Sequence, residues 1–294
     1  MVKLDPEYPC LMLDGGFFVF FRWYALYNYY KLSSPDAPLD VPNILLNHQF
    51  IEKFDKLFED NIDKLAKKNH VPYKNVVFCK DCMRDNIWRY EFFTPYKRSR
   101  EERLTTFNGD IFKHCYNTLL PKLSKKMGIQ TCEHPRAEAD DIIAVFTRSI
   151  QSSHPATKII IVTNDNDYLQ LIADNVKVVN MKNMDLKSRL TCDPLTYLKM
   201  KIIMGDKSDN IPSVFPKCGE KRAQQLAEDD ELLEERLSKS DELRERYELN
   251  SLLIDTRRVP DKIQQELKAM LQLNVNGYDQ DVLADAVSNM TISR

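Results

Sequence analysis

Three short apolar runs, each delivered to an aspartate, constrain this chain more than any other feature. Cys10-Leu-Met-Leu13 stops at Asp14-Gly-Gly, Asn75-Val-Val-Phe-Cys79 at Lys80-Asp81, and Lys158-Ile-Ile-Ile-Val162 leads on to Asp165 and Asp167. Unbroken apolar strands are those buried on both faces, and helical stretches such as the aromatic-rich Phe17 to Tyr30 separate them. That order predicts an α/β chain with a mostly parallel central sheet flanked by helices. Ligands of such sheets bind beyond the carboxyl ends of the strands, where all three aspartate groups fall.

Two further acidic clusters flank the third run. Glu138-Ala-Asp140-Asp141 opens a helix whose apolar residues Ile142, Ile143 and Phe146 make a core stripe, and Glu138 and Asp141, at i and i+3, share one face. A helix N-terminus stabilises such charge by ~0.3–1 kcal/mol per group, too little to hold three carboxylates together without a cation. Read alone, the segment fits a capping arrangement better, since acidic first turns are common. Farther on, Asp193-Pro194 caps a helix that runs into Gly205. Asp206 and Asp209 lie in the turn after it, Asn210-Ile-Pro212 prevents continuation, and a second helix is expected over Gly219 to Ala227. Helix, polar loop and glycine-led helix form a hairpin whose backbone N–H groups can hold a phosphate or a cation regardless of base sequence. Hard divalent cations take oxygen ligands, and a pair of them suits phosphodiester hydrolysis.

Composition excludes several alternatives. A chain of 294 residues that is 43% hydrophobic and 29% charged is an ordinary globule, large enough for one sizeable or two small domains. The early apolar run Phe17 to Phe21 is cut by Arg22, so neither a signal peptide nor a membrane span is expected, and the protein is expected inside a cell. Seven cysteines, an odd number, then point to free thiols in a reducing compartment. Cys79-Lys-Asp-Cys82 has C-x-x-C form, but the five histidines complete no zinc set and Asp81 opposes thiolate formation. The pair reads as a strand end.

Taken in order, Leu13-Asp14-Gly, Asp81, Tyr96-Lys97, Glu138-Ala-Asp140-Asp141, Thr163-Asn-Asp-Asn-Asp-Tyr-Leu-Gln170 and the run from Met204 to Ala223 resemble the flap endonuclease and 5′→3′ exonuclease family. That family includes the 5′ nuclease domain of bacterial DNA polymerase I and free-standing bacteriophage enzymes, and the likeness spans roughly residues 8 to 260. It implies a PIN-like nuclease core over residues 8–191, with a helical arch or gateway at about 82–135, a helix-hairpin-helix DNA-binding region over 192–260, and a tail of unknown role over 261–294. Asp14, Asp81, Glu138, Asp140 and Asp141 would hold one Mg²⁺ and Asp165, Asp167, Asp206 and Asp209 a second, with Mn²⁺ able to substitute. The gateway is rich in cations: Arg84, Arg89, Lys97, Arg98, Arg100, Arg103, Lys113, Lys122, Lys125 and Lys126. Arg89 and Lys97 match its base, where basic side chains contact the scissile phosphate and offset transition-state charge. Arg98, Arg100, Arg103, Lys207, Lys217, Gly219, Lys221 and Arg222 are the DNA-binding candidates. Of the interleaved Trp88, Tyr90, Phe92, Phe93 and Tyr96, about half are expected in the core and the rest could stack on frayed bases at ~1–3 kcal/mol each.

The implied activity is a structure-specific 5′ nuclease, both exonuclease and flap endonuclease, hydrolysing DNA in replication or repair. Its substrates would be DNA with 5′ ends, flaps or nicks, and RNA-DNA primers. A monomer without membrane contact is expected where DNA is replicated, in a bacterial cytoplasm or an infected host cell. Net charge −2 looks wrong for such a partner, yet setting nine carboxylates aside at a metal centre leaves +7 for the remaining surface. A PIN-like ribonuclease shares the acidic strand ends but lacks the basic insertion and the hairpin. A non-catalytic branched-DNA binder would need its metal ligands degraded, and all nine are present.

One departure stands out. The family hairpin carries a Gly-x-Gly turn, whereas Pro216-Lys217-Cys218-Gly219 keeps only the second glycine and is one residue longer. This removes freedom for positive φ and bears on the monovalent cation that the resemblance implies there, although Lys217, Lys221 and Arg222 can compensate electrostatically. The charged run from Glu228 to Arg246 reads as a solvated helical face, and nothing after about residue 270 is recognisable.

Overall fold

The computed structural model describes residues 1–33, 39–98 and 106–273. Its strands, in chain order, are β1 (Val2–Leu4), β2 (Cys10–Asp14), β3 (Val76–Cys79), β4 (Gln130–Cys132), β5 (Ile159–Val162), β6 (Val176–Val179) and β7 (Leu271–Leu273). The three apolar runs are β2, β3 and β5, buried along their whole length. They form the centre of a five-stranded sheet, order β4-β3-β2-β5-β6, in which every pairing is parallel. Asp14 stands opposite Cys79 and Leu13 opposite Val162, so β2, β3 and β5 end at the same edge.

Side chains alternate across a strand, and both faces of this sheet are covered. Leu11, Leu13, Phe78 and Val162 point into a core built from α1 (Gly15–Ser33), α2 (His48–Lys68), α3 (Asp110–His114) and α4 (Leu120–Met127). Phe50, Phe54, Phe58 and Ile62, spaced at i+4, give α2 one continuous apolar stripe, each ring worth ~1.5–3 kcal/mol on burial. Met12, Val77 and Ile161 face the other core, where α5 (Ala139–Ser153) lays down Ile142, Ile143, Phe146 and Ile150. A single π turn, Cys115–Leu119, joins α3 to α4.

The helices expected before Gly205 and after Gly219 are both present. Asp193 caps α6 (Pro194–Met204), accepting from the Leu195 and Thr196 amides, with Pro194 in the first turn. Gly205 ends it at φ +68°, and the second helix, α7 (Glu220–Glu228), is capped by Gly219. With α8 (Asp230–Leu237) and α9 (Asp241–Ile254) these helices bury Met200, Ile203, Phe215, Leu226 and Leu233 in a core of their own. A further cluster, in which Ile87 and Tyr96 meet Leu198, Ile202, Ile211, Leu253 and Ile254, fixes the segment 87–96 against α6 and α9.

Residues beyond 260 have a structural place that sequence reading left open. The helix α10 (Asp261–Met270) packs on α5, and β7 pairs in parallel with β1, at the opposite end of the chain. Residues 274–294 lie outside the described residues. All seven cysteines are free, and Cys79 is a buried strand-end residue, as expected. Among the described residues no helix is long and apolar enough to cross a membrane.

Candidate metal centre

Each carboxylate reaches the centre because a strand or helix ends there. Asp14 closes β2. One of its oxygens accepts from the Phe17 amide at the start of α1, the other from Thr163 Oγ1 after β5, at 2.8 Å. Asp81 follows β3 by two residues and accepts from the Ala139 amide of α5 at 2.8 Å. Between them, Gly16 lets the two carboxylates approach the start of α1: a Cβ there would lie 2.6 Å from Asp81 Oδ2 and 3.7 Å from Asp14 Oδ1. Glu138, the residue before α5, and Asp140 in its first turn complete this half. Asp165 and Asp167 follow β5, and Asp206 and Asp209 follow α6, the latter pair held by the short antiparallel bridge Asp206–Ile211. Asp14, Asp81, Glu138, Asp140, Asp165 and Asp206 all line one cleft of about 1220 Å³, with Lys97 and Lys201 on its wall.

Collecting so many acids in one place is costly without a counter-charge. Burial, then the neighbouring Asp81, pushes the Asp14 carboxyl up to about 7. Burial likewise raises Asp81, and raises Asp140 well above the usual carboxylate range, helped by Asp141 and Glu138 and opposed by Arg89. Glu138 goes the other way. Burial works against its charge, but Lys97 and Arg89 outweigh it and hold the carboxyl at about 2. An all-oxygen donor set of buried, clustered acids fits a hard divalent cation.

Two of the residues assigned from the resemblance, Arg89 and Asp141, are enclosed in the protein. Arg89 is not among the residues that line the cleft: its side chain is 2% exposed, its Nε donates to the Leu253 carbonyl, and its two terminal nitrogens pair with Asp141 and Glu138 at 2.8–3.0 Å. Asp141 is its partner. Both Asp141 oxygens face Arg89, and one also accepts from Trp88 Nε1 and the Glu138 amide. The ligand atoms of Glu138, Asp140 and Asp141 lie within 4.8 Å of one another, and Asp141 is also the anchor of Glu138 and Arg89. The capping reading of this segment thus holds for Asp141.

Lys97 lines the cleft. Held at φ +54° with its amide on the Asp209 carbonyl, it sends Nζ to Glu138 Oε1 at 2.5 Å and to within 3.8 Å of Asp209 Oδ2. Trp88 and Tyr96 are core residues, the latter donating to Glu138, whereas Phe92 is half exposed. Arg98, Lys207, Lys217, Lys221 and Arg222 are all exposed. Arg100 and Arg103 lie outside the described residues. In the hairpin, Gly219 has an ordinary φ of −87°, and the left-handed conformation falls on Lys217 instead, at φ +52°. Lys201 was not singled out from sequence. Its ammonium hydrogen-bonds to Asp167 and lies 3.2 Å from Asp206. The available signal was a lysine inside the apolar run of α6, five residues before Asp206.

Residues 9–195 match the family described as the 5′-3′ exonuclease, N-terminal resolvase-like domain. The 5′-3′ exonuclease of Buchnera aphidicola subsp. Acyrthosiphon pisum is 26% identical over 221 residues, 73% of this chain and 68% of that protein. That of Halalkalibacterium halodurans is 28% identical over 223 residues, again 73% and 68%. DNA polymerase I of Lactococcus lactis subsp. lactis is 25% identical over 255 residues, 83% of this chain but only 27% of the polymerase. The chain therefore spans about two thirds of those exonucleases and about a quarter of the polymerase. In structure, a bacteriophage T5 flap endonuclease in a pseudo-enzyme–product complex with DNA and metal ions superposes with a TM-score of 0.61 at 18% identity, covering 89% of this chain and 97% of the other. A T5 5′-exonuclease with bound zinc gives 0.61 at 17% identity, with the same coverage. These two share its fold. The chain belongs to the 5′-3′ exonuclease family, and residues 9–195 are that family's N-terminal resolvase-like domain.

Proposed function

We propose that the protein is a structure-specific 5′ nuclease that hydrolyses DNA phosphodiesters with divalent metal ions, acting as exonuclease and flap endonuclease in replication or repair. The observation that carries this reading is the convergence of carboxylates from β2, β3, β5, α5 and the loop after α6 on one cleft that also presents Lys97 and Lys201. Asp14, Asp81, Glu138, Asp140 and Asp141 would hold one Mg²⁺ and Asp165, Asp167, Asp206 and Asp209 a second, with Mn²⁺ as substitute. When bound, such ions lower the pKa of water and stabilise charge on the leaving oxygen. Lys97 supplies positive charge at the scissile phosphate, Arg89 and Asp141 position Glu138, and Thr163 orients Asp14.

Residues 192–260 would grip duplex backbone through Lys207, Lys217, Lys221, Arg222 and the helix start at Gly219, while Arg98, Arg100 and Arg103 would guide the 5′ strand over the core formed by residues 8–191. A monomer acting on 5′ ends, flaps, nicks and RNA-DNA primers inside the cell fits this arrangement. Cleavage of 5′-flap, nicked and blunt duplexes, end-labelled and incubated with Mg²⁺, tests it. Products released from the 5′ strand near the single-strand junction are expected; cutting confined to RNA single strands would favour the PIN-like ribonuclease instead.

A further inference from the structure

We infer that Lys201 is a resident cation of the second half of the acidic centre, holding Asp167 and Asp206 together until a second divalent ion displaces it. The inference rests on reading Asp165, Asp167, Asp206 and Asp209 as that ion's ligands. Lys201 projects from α6 with its side chain 13% exposed, and its ammonium touches one carboxylate from each of the two segments that build this half, the turn after β5 and the loop after α6. The geometry leaves it little alternative. Asp206 Oδ1 is taken by the Ser208 amide and hydroxyl, both at 2.7 Å, so Oδ2 is the oxygen that faces the lysine. Neighbours Met200, Ile202 and Ile203 are buried, so Lys201 alone carries charge inward from that part of α6.

The two halves differ in how far their charge is already offset. Among the described residues Asp14 and Asp81 accept only from neutral donors, the Phe17, Thr163 and Ala139 groups. A first ion there meets, among the described residues, two carboxylates, Asp14 and Asp81, that no ammonium or guanidinium contacts, although Lys97 and Arg89 already pair with Glu138 beside them. A second ion must instead compete with the ammonium already paired with Asp167 and Asp206, because two cations drawn to the same carboxylates repel each other. Lys201 lines the cleft, so a displaced ammonium would be placed to face a substrate phosphate. Sequential loading follows, with the second ion weaker than the first because each competes differently with protein charge.

Calorimetric titration of Mn²⁺ into metal-free protein without DNA tests this, comparing wild type with Lys201→Met, which keeps length but not charge, and Lys201→Arg, which keeps charge. The expected result is one tight and one weaker ion in wild type and in Lys201→Arg, and a second ion bound roughly tenfold more tightly in Lys201→Met. Amine-reactive labelling of the wild type, read by mass spectrometry, gives an independent measure should Lys201→Met fail to fold. Labelling of Lys201 should rise over the Mn²⁺ range in which the second ion loads. An unchanged or weakened second ion in Lys201→Met, or labelling that falls as that ion binds, overturns the inference while leaving two-ion binding intact. Binding of no Mn²⁺ by any of the three proteins overturns the metal reading as well.

Discussion

Arg89 and Lys97 look interchangeable in the sequence, two cations eight positions apart among aromatics, yet burial gives them different work. Arg89 is enclosed with Asp141 and Glu138, and removing one partner of a buried charge cluster strands the others. Arg89→Met is expected to cost about 3–5 kcal/mol, measured by urea denaturation in EDTA, and a loss below 1 kcal/mol would mean that Asp141 does not depend on it. Lys97 keeps 16% of its side chain exposed and lines the cleft. Lys97→Ala should lower the single-turnover rate by roughly 10²–10³-fold with duplex affinity little changed, because its charge acts where negative charge develops. A change in affinity alone would make it an anchor. The sequence could not separate the two, since the residue that captures Arg89 lies 52 positions away and the contact exists only in the fold.

The elements that deliver the acids were the most readable part of the chain. Short strands buried on both faces leave an unbroken apolar run, and an Asp-Pro cap followed by a terminal glycine brackets α6 closely. What the sequence hid was the hairpin's inner geometry. The loss of the first glycine suggested lost freedom for positive φ, but Lys217 adopts that conformation despite its side chain. Gly205 is the position with no tolerance: at φ +68° and ψ −170°, a Cβ would sit 2.4 Å from the Pro212 carbonyl oxygen. Gly205→Ala should therefore cost about 1–3 kcal/mol in backbone strain, displace Asp206 and weaken Mn²⁺ binding seen by calorimetry. Normal metal binding in that variant would show that the turn adapts. Replacing Lys217, Lys221 and Arg222 together by Ala should weaken duplex binding and flatten its log–log salt slope by up to about 2.7, while single-turnover cleavage at saturating enzyme stays near normal.

At the scale of the whole molecule, fold class was legible because three strand ends and a helix start each carry acid. The closure of the chain was not, since three-residue strands such as β1 and β7 have no periodicity to read and their pairing joins residues 2–4 to 271–273. The central claim is that carboxylates brought together by a parallel sheet hold the ions that cut DNA. Its most direct test is single-turnover cleavage of a 5′-flap duplex across a Mg²⁺ titration, for wild type and Asp140→Asn, with DNA affinity measured alongside in Ca²⁺. Wild type should show no cleavage in EDTA and saturable activation by Mg²⁺. Asp140→Asn should lose more than about 10³-fold in rate, several kcal/mol of transition-state stabilisation, while still binding the flap. Cleavage that persists in EDTA, or that survives Asp140→Asn at saturating Mg²⁺, would contradict the account.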